Sequence, residues 1–352
     1  MALMEMHTNL FGKTKTEIQE IVKKLSLPPY SAAQICDWLY KKNADSVDKI
    51  TNLSKSARTE LSKHYIIRHD APLNIQVSSD GTKKYLFKTI HSHYIEAVYI
   101  PDDSRHTICI SSQAGCKWGC SFCMTGKQGF QADLSAGEIL CQINGIPEKD
   151  KITNIVYMGM GEPLDNLHEV LKSLEILTSP YGYAISPYRI TVSTTGLIPA
   201  MKIFLEKSNC HLAVSLHTPF SEERKKIMPV ESVFPVRDIV ETLKTYNLQR
   251  QRRLSFEYIM FKDFNDSRRH VNEIARLLNG LKCRINLIRF HPVPGIPLKS
   301  SDNMTIARFR DSLTEKGIIT TIRASRGRDI LAACGLLSTR HLISNKPIAI
   351  KD

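Results

Sequence analysis

Nine consecutive residues, Gly115-Cys116-Lys117-Trp118-Gly119-Cys120-Ser121-Phe122-Cys123, place three cysteines at C-x3-C-x2-C spacing directly after an apolar, strand-like run from His106 to Ser112. Thiolates this close on one loop can converge on a single soft-metal centre. The number of cysteines is informative. A closed structural zinc site or a fully ligated iron–sulfur cluster takes four protein ligands. Three thiolates would instead leave a [4Fe–4S] cluster with one iron open to bind and activate a small molecule. The competing reading is a zinc knuckle that recruits His106 or Cys109 as fourth ligand, although knuckles ordinarily split their ligands into two pairs.

Other residues suited to chemistry follow later strand-like runs. Met158-Gly159-Met160-Gly161-Glu162-Pro163 closes the second of these runs. Glycines there let a ligand approach the backbone closely, and Glu162 can accept a hydrogen bond from an ammonium group. Ser193, within Thr191–Gly196, and Ser215-Leu216-His217 close the next two runs and offer polar groups to the same ligand. Cys36, Cys141, Cys210 and Cys283 sit in apolar or helical surroundings and read as inert packing residues. Cys109 lies in the strand leading to the cysteine loop. Cys334 stands in Ala332-Ala333-Cys334-Gly335, a small-residue stretch suited to an accessible thiol. Arg323, Arg326 and Arg328 upstream would favour its nucleophilic thiolate.

The elements that must position these groups alternate in type. Apolar, β-branched runs recur at His106–Ser112, Asn154–Gly159, Arg189–Thr195, His211–His217, Leu254–Phe261, Arg284–Phe290 and Ile319–Arg323. Amphipathic stretches lie between several of them, among them Ser135–Ile143, Leu167–Leu177, Val236–Tyr246, Arg269–Leu278 and Thr305–Glu315. Repeated βα units imply a parallel sheet with crossover helices. The fold class is therefore α/β, a partial (β/α)6 TIM-like barrel whose functional residues gather at the C-terminal ends of the strands. Residues 1–72 read as a small helical accessory domain. In it Thr16 and Gln19 form a capping box for a first helix, Ser31 caps a second through Lys42, and a third runs from Ser54 to Tyr65. Trp38, beside Ile35 and Leu39 on one apolar face, reads as core. Residues 73–104 read as a β-rich linker with a turn at Asp80-Gly81, residues 105–340 as the catalytic core, and residues 341–352 as a tail.

Composition narrows the setting. The 352 residues carry a formal charge of +13, which favours a polyanionic partner such as RNA or DNA. Basic clusters stand at Arg250, Arg252 and Arg253, at Arg268 and Arg269, and along Arg323, Arg326 and Arg328. No run of apolar residues is long enough to span a membrane. Met1 to Leu25 is polar and Lys-rich, so no secretory signal is expected. Nine cysteines, an odd number with three clustered, point to thiolate chemistry in a reducing compartment rather than to a disulfide framework.

The cysteine spacing resembles the signature of radical S-adenosylmethionine (SAM) enzymes, in which the open iron of a [4Fe–4S] cluster chelates SAM. Gly161-Glu162 is similar to the motif that holds the SAM amino group in those enzymes. The whole chain, to about Leu337, resembles the RlmN family of dual-specificity RNA methyltransferases and, more distantly, the sister family Cfr. The resemblance is carried by Glu96-Ala97-Val98-Tyr99-Ile100-Pro101, Ser111-Ser112-Gln113-Ala114-Gly115-Cys116, Gly129-Phe130, Gly159-Met160-Gly161-Glu162-Pro163-Leu164, Ser215-Leu216-His217, Ile285-Asn286-Leu287-Ile288 and Ala333-Cys334-Gly335. Pro163 favours RlmN, since the Cfr pattern usually has Ala at this place.

The resemblance implies a cytoplasmic enzyme that methylates C2 of adenosine in 23S rRNA and in tRNA. It implies one [4Fe–4S] cluster on Cys116, Cys120 and Cys123, two molecules of SAM per turnover, and an electron donor such as flavodoxin or ferredoxin. It implies no membrane association. Cys334 would accept a methyl group from SAM, Glu96 would remove the C2 proton, and Cys109 would attack the sulfur of Cys334 to release the product. Gly161, Glu162, Ser193, Ser215, Leu216 and His217 would bind SAM. His291 stands where relatives usually carry Asn before Pro with a role in binding SAM, and imidazole can supply the same hydrogen bond.

Overall fold

The computed structural model describes residues 7–248, 254–293 and 295–339. Its frame is a ten-stranded sheet whose strands neighbour one another in chain order. They are β1 Asn74–Val77, β2 Lys83–Lys88, β3 Tyr94–Ile100, β4 Thr107–Cys109, β5 Asn154–Tyr157, β6 Ile190–Thr194, β7 His211–Ser215, β8 Leu254–Met260, β9 Arg284–Arg289 and β10 Ile319–Ile322. Strands β1 to β4 pair antiparallel. From β4 to β10 every pairing is parallel. The barrel therefore has seven parallel strands and six crossovers, as the alternation of apolar runs and amphipathic stretches implied.

Parallel strands covered on both faces need apolar residues throughout. β8 shows this most fully, with all seven residues buried. Each crossover carries a helix: Ala136–Asn144, Leu167–Thr178, Ile198–Lys207, Val236–Lys244, Arg268–Leu277 and Asn303–Glu315. The Ile198–Lys207 helix was not singled out from the sequence. Pro199 reads as a breaker there, but it occupies the first turn, where proline costs no hydrogen bond.

The three antiparallel strands are continuous with the barrel sheet. β3 pairs with β4 through Val98↔Cys109, so the segment read as a linker extends the wall of the site.

The accessory module contains helices Lys15–Lys24, Ser31–Tyr40 and Lys55–Ser62. Its first capping box is formed by Thr14 and Glu17 rather than by Thr16 and Gln19. Starting at Lys15 puts Ile18 and Val22 together on the buried face, and packing thus selects the earlier cap. Ser31 is not a cap either. It is buried in the first helical turn, behind Tyr30. Ser54 does cap the third helix, accepting the Ala57 N–H at 3.1 Å. The module meets the barrel at Gly12, where a Cβ would lie 2.3 Å from the Gly137 nitrogen. Among the described residues no helix is long and apolar enough to cross a membrane.

Candidate active site at the strand ends

The cysteine loop leaves the end of β4 and is tied down by its own backbone. The Cys116 N–H donates to the Gly129 carbonyl at 3.2 Å, and the Ser121 N–H to the Ile227 carbonyl at 2.9 Å. Gly115, at φ +76°, passes so close to Gly129 that a Cβ would lie 1.7 Å from its oxygen. Cys120 is buried, while Cys116 and Cys123 are half-buried. Burial pushes the Cys116 thiol up to about 12 and raises Cys120 and Cys123 as well, with the Cys123 sulfur adding to the effect on the other two.

The zinc-knuckle alternative finds no support in this arrangement. Zinc needs its ligands within roughly 2.0 to 2.3 Å of one ion, and among the described residues no three His, Cys, Asp or Glu side chains group to hold a single metal ion. His106 is engaged instead by the Tyr99 hydroxyl at 2.6 Å from Nδ1 and stacks on that ring. Cys109 interacts with Cys334 rather than with the cysteine loop.

A larger iron–sulfur body, held by separate thiolates, fits the loop better. Ser112, immediately before the loop, has a buried Oγ with no hydrogen-bond partner in the protein. An orphaned buried hydroxyl four residues before the first of three soft donors suits a segment completed by a bound group.

Across from the loop, Glu162 is buried. Its Oε2 accepts the Thr195 N–H at 2.7 Å and its Oε1 the Leu164 N–H at 3.0 Å. Burial raises its pKa, and these amide donors oppose the rise. The side chains of Thr194 and Thr195 oppose it as well. Gly161, at φ +96°, passes over Gln113, where a Cβ would lie 2.5 Å from the Gln113 Cβ. Gln113 in turn receives the Glu162 N–H at 2.8 Å, joining the two loops.

Ser193 is half-buried in β6. Ser215 ends β7 and Leu216 follows it, and their carbonyls both accept from Arg224, at 2.7 and 3.1 Å. Arg224 also reaches the Thr195 carbonyl at 2.9 Å, and it pairs with Glu231 with both side chains fully buried. Sequence reasoning missed Arg224, because its segment, Ser221-Glu222-Glu223-Arg224-Lys225-Lys226, reads as a solvated helix face.

His217 has φ +57° and is buried against Phe122 of the cysteine loop. Its Nδ1 accepts the Ile259 N–H at 3.0 Å, so the ring proton sits on Nε2. Burial, with Arg224 nearby, holds its pKa down at about 3, and the ring is neutral. His291 is buried and bonds Ser325 through Nε2 at 3.1 Å. Burial, then Arg328 and Arg289, lower it to about 4.

The remaining three residues converge at the β3–β4 side. Cys334 is exposed, in a segment that returns over the site. That segment is strapped to the short helix after Cys123 by the Met124 N–H to the Gly335 carbonyl, at 2.8 Å, and by the Thr125 hydroxyl to the Leu337 carbonyl, at 2.7 Å. It reaches Glu96 through the Ser338 N–H, which donates to Oε2 at 3.0 Å. Cys109 is buried. Burial, with the Cys334 sulfur beside it, pushes its thiol up to about 12 against a pull from Arg323. Arg323 pairs with the buried Glu257 at 3.3 Å and interacts with both thiols. Arg326 pairs with Asp102 instead, so of the three upstream arginines Arg323 is the one joined to both sulfurs. Lys84, 3.0 Å from Glu96, was not anticipated, because a lysine pair in a short strand reads as solvent-facing.

Comparison with known proteins agrees with this geometry. The radical SAM superfamily model matches residues 110–278, and the ribosomal RNA large subunit methyltransferase N-terminal domain matches residues 8–67. A probable dual-specificity RNA methyltransferase RlmN from Bacteroides thetaiotaomicron is 56% identical over 330 residues, covering 94% of this chain and 96% of its own length. This chain belongs to the RlmN family. A dual-specificity RNA methyltransferase RlmN from Nitratiruptor sp. is 39% identical over 94% of this chain and 98% of its own length. The crystal structure of a radical SAM methyltransferase from Sphaerobacter thermophilus superposes with a TM-score of 0.87 at 36% identity, covering 94% of this chain and 99% of that one. As a member of the RlmN family, the chain is a SAM-dependent radical methyltransferase with a [4Fe–4S] cluster.

Proposed function

We propose that this RlmN-family enzyme methylates C2 of adenosine in 23S rRNA and in tRNA, in the reducing cytoplasm. The observation that carries the reading is the convergence of Cys334, Cys109 and Glu96 beside the cysteine loop. Adenine C2 is an electrophilic amidine carbon and cannot attack the methyl group of SAM as a nitrogen would. A radical route avoids that polarity problem, and the resemblance to the RlmN family implies that the methyl group travels on the protein first.

Cys116, Cys120 and Cys123 hold the cluster, and Gly161, Glu162, Ser193, Ser215, Leu216, His217 and His291 line the place for SAM. When bound there, cluster and SAM together supply the radical that activates a methyl group for addition to C2. Cys334, exposed on its segment, accepts the methyl from SAM and carries it to the base. Glu96 then takes the C2 proton from the protein–RNA adduct. Cys109 attacks the sulfur of Cys334, which frees the methylated RNA and leaves a Cys109–Cys334 disulfide. An external donor such as flavodoxin or ferredoxin supplies electrons. The helical module at residues 1–72 contributes part of the RNA-binding surface.

The order of thiol steps is testable. Cys334→Ala loses both methyl transfer to protein and RNA product. Cys109→Ala still accepts the methyl and attacks adenine, then stalls as a protein–RNA crosslink that survives denaturation and disappears with nuclease. Normal product without crosslink in Cys109→Ala would reduce Cys109 to a packing residue. A crosslink in Cys334→Ala would overturn the assignment, because the bond to RNA runs through that sulfur.

A further inference from the structure

We infer that Lys84 is the positioning residue for Glu96, fixing one carboxylate oxygen so that the other is presented to the RNA adduct. The inference rests on the reading of Glu96 as the group that takes the adenine proton. β2 and β3 pair with Leu86 opposite Glu96 and Lys84 opposite Val98. Lys84 and Glu96 are therefore diagonal neighbours on one sheet face, a distance that long side chains bridge. Val98 is opposite Cys109, so the second thiol shares that face.

The Lys84 Nζ lies 3.0 Å from Glu96 Oε1, with the two side chains only 9% and 4% exposed. A charge this far from water persists with its partner and not alone. A charge-assisted bond of this kind is strong and directional. The two oxygens of Glu96 thus have separate roles. Oε1 is held by strand β2, while Oε2 faces the Cys334 segment through the Ser338 N–H. When the adduct forms, Oε2 exchanges that amide for the C2 proton. Glu96 becomes a neutral acid and Lys84 keeps its own protons.

The other lysines of β2 are used differently. Lys83 pairs with Glu148 at 2.6 Å, and Lys88 is exposed. Sheet packing alone does not call for the buried pair, since apolar residues of similar size usually hold a sheet at least as well. Chemistry at Glu96 does call for it.

The experiment separates the half-reactions using SAM, a reductant and an unmodified rRNA fragment. Methylation of the exposed Cys334, whose thiol proton leaves to solvent, does not use Glu96, and Lys84→Met is expected to complete it, which also reports a folded and loaded enzyme. With RNA, Lys84→Met accumulates the denaturation-resistant crosslink as Glu96→Gln does, with product formation down at least tenfold. Lys84→Arg restores turnover and clears the crosslink. Wild-type product and no crosslink in Lys84→Met, while Glu96→Gln still stalls, would overturn the role of Lys84. Normal turnover in Glu96→Gln would instead remove the reading of Glu96 as base. If Lys84→Met does not methylate Cys334, the neutral double variant Lys84→Met/Glu96→Gln decides. It must methylate Cys334 and stall to the same extent as Glu96→Gln. A further loss of crosslink in the double variant would show that Lys84 acts elsewhere and would overturn the inference.

Discussion

Cys109 is kept protonated until it is needed. Cys109, buried and pushed up to about 12, carries its proton at neutral pH, and the Arg323 guanidinium is the counter-charge available to its thiolate. Below that pKa the thiolate fraction grows with pH, about tenfold per unit. In cluster-free protein carrying a glutathione mixed disulfide on Cys334, closure by Cys109 should therefore quicken about tenfold per pH unit between roughly pH 7 and 9. Stopped samples resolved by mass spectrometry measure this, and a flat profile over that range would contradict the environment assigned to Cys109. Candidate site residues were visible in the sequence where the pattern is one of local spacing, as at Cys116, Cys120 and Cys123 or at Gly161-Glu162. Lys84 and Arg224 were not. Their roles come from burial and from partners on other elements, Glu96 on the next strand and carbonyls at the ends of β6 and β7, and one-dimensional spacing cannot show that.

At the scale of elements, strands place groups and glycine-bearing loops bring the groups together. β4 to β9 were legible because strands covered on both faces need long β-branched runs. The accessory helices were legible, but their caps were not, because packing of Ile18 and Val22 rather than local pattern chose Thr14 over Thr16. The loops allow a sharp contrast between two glycines with similar backbone. Gly115 has φ +76° with the Gly129 oxygen filling the place of a Cβ, whereas Gly280 has φ +80° in open space. Alanine at Gly280 should cost about 1 to 3 kcal/mol of stability from backbone strain alone and leave iron loading intact. Alanine at Gly115 must in addition move the backbone of the cysteine loop, and should lose iron and SAM binding. Denaturant unfolding together with iron analysis distinguishes the two. Full iron loading in Gly115→Ala would show that the close approach is not what shapes the loop.

Over the whole molecule, the excess of positive charge favours a polyanionic partner such as RNA. Not every basic residue is open to RNA: Arg224 is sealed in a buried pair, and Arg269 stacks on Phe220 at 3.8 Å and pairs with Glu223, while such pairs leave the formal charge of +13 unchanged. Arg250, Arg252 and Arg253 lie outside the described residues, so their part must come from binding. The logarithm of RNA affinity should fall linearly with the logarithm of salt concentration. Neutralising those three arginines together should reduce the slope by roughly 2 to 3. An unchanged slope in filter-binding titrations would remove them from the footprint.

The central claim is that these residues together place a methyl group on adenine C2. Its most direct test is anaerobic incubation of the cluster-loaded enzyme with SAM, a reductant and unmodified 23S rRNA fragments or tRNA, followed by nuclease digestion and mass spectrometry against both methyladenosine standards. The account predicts 2-methyladenosine in each RNA, dependent on Cys334. Appearance of 8-methyladenosine in its place, or of 2-methyladenosine with Cys334 removed, would contradict it.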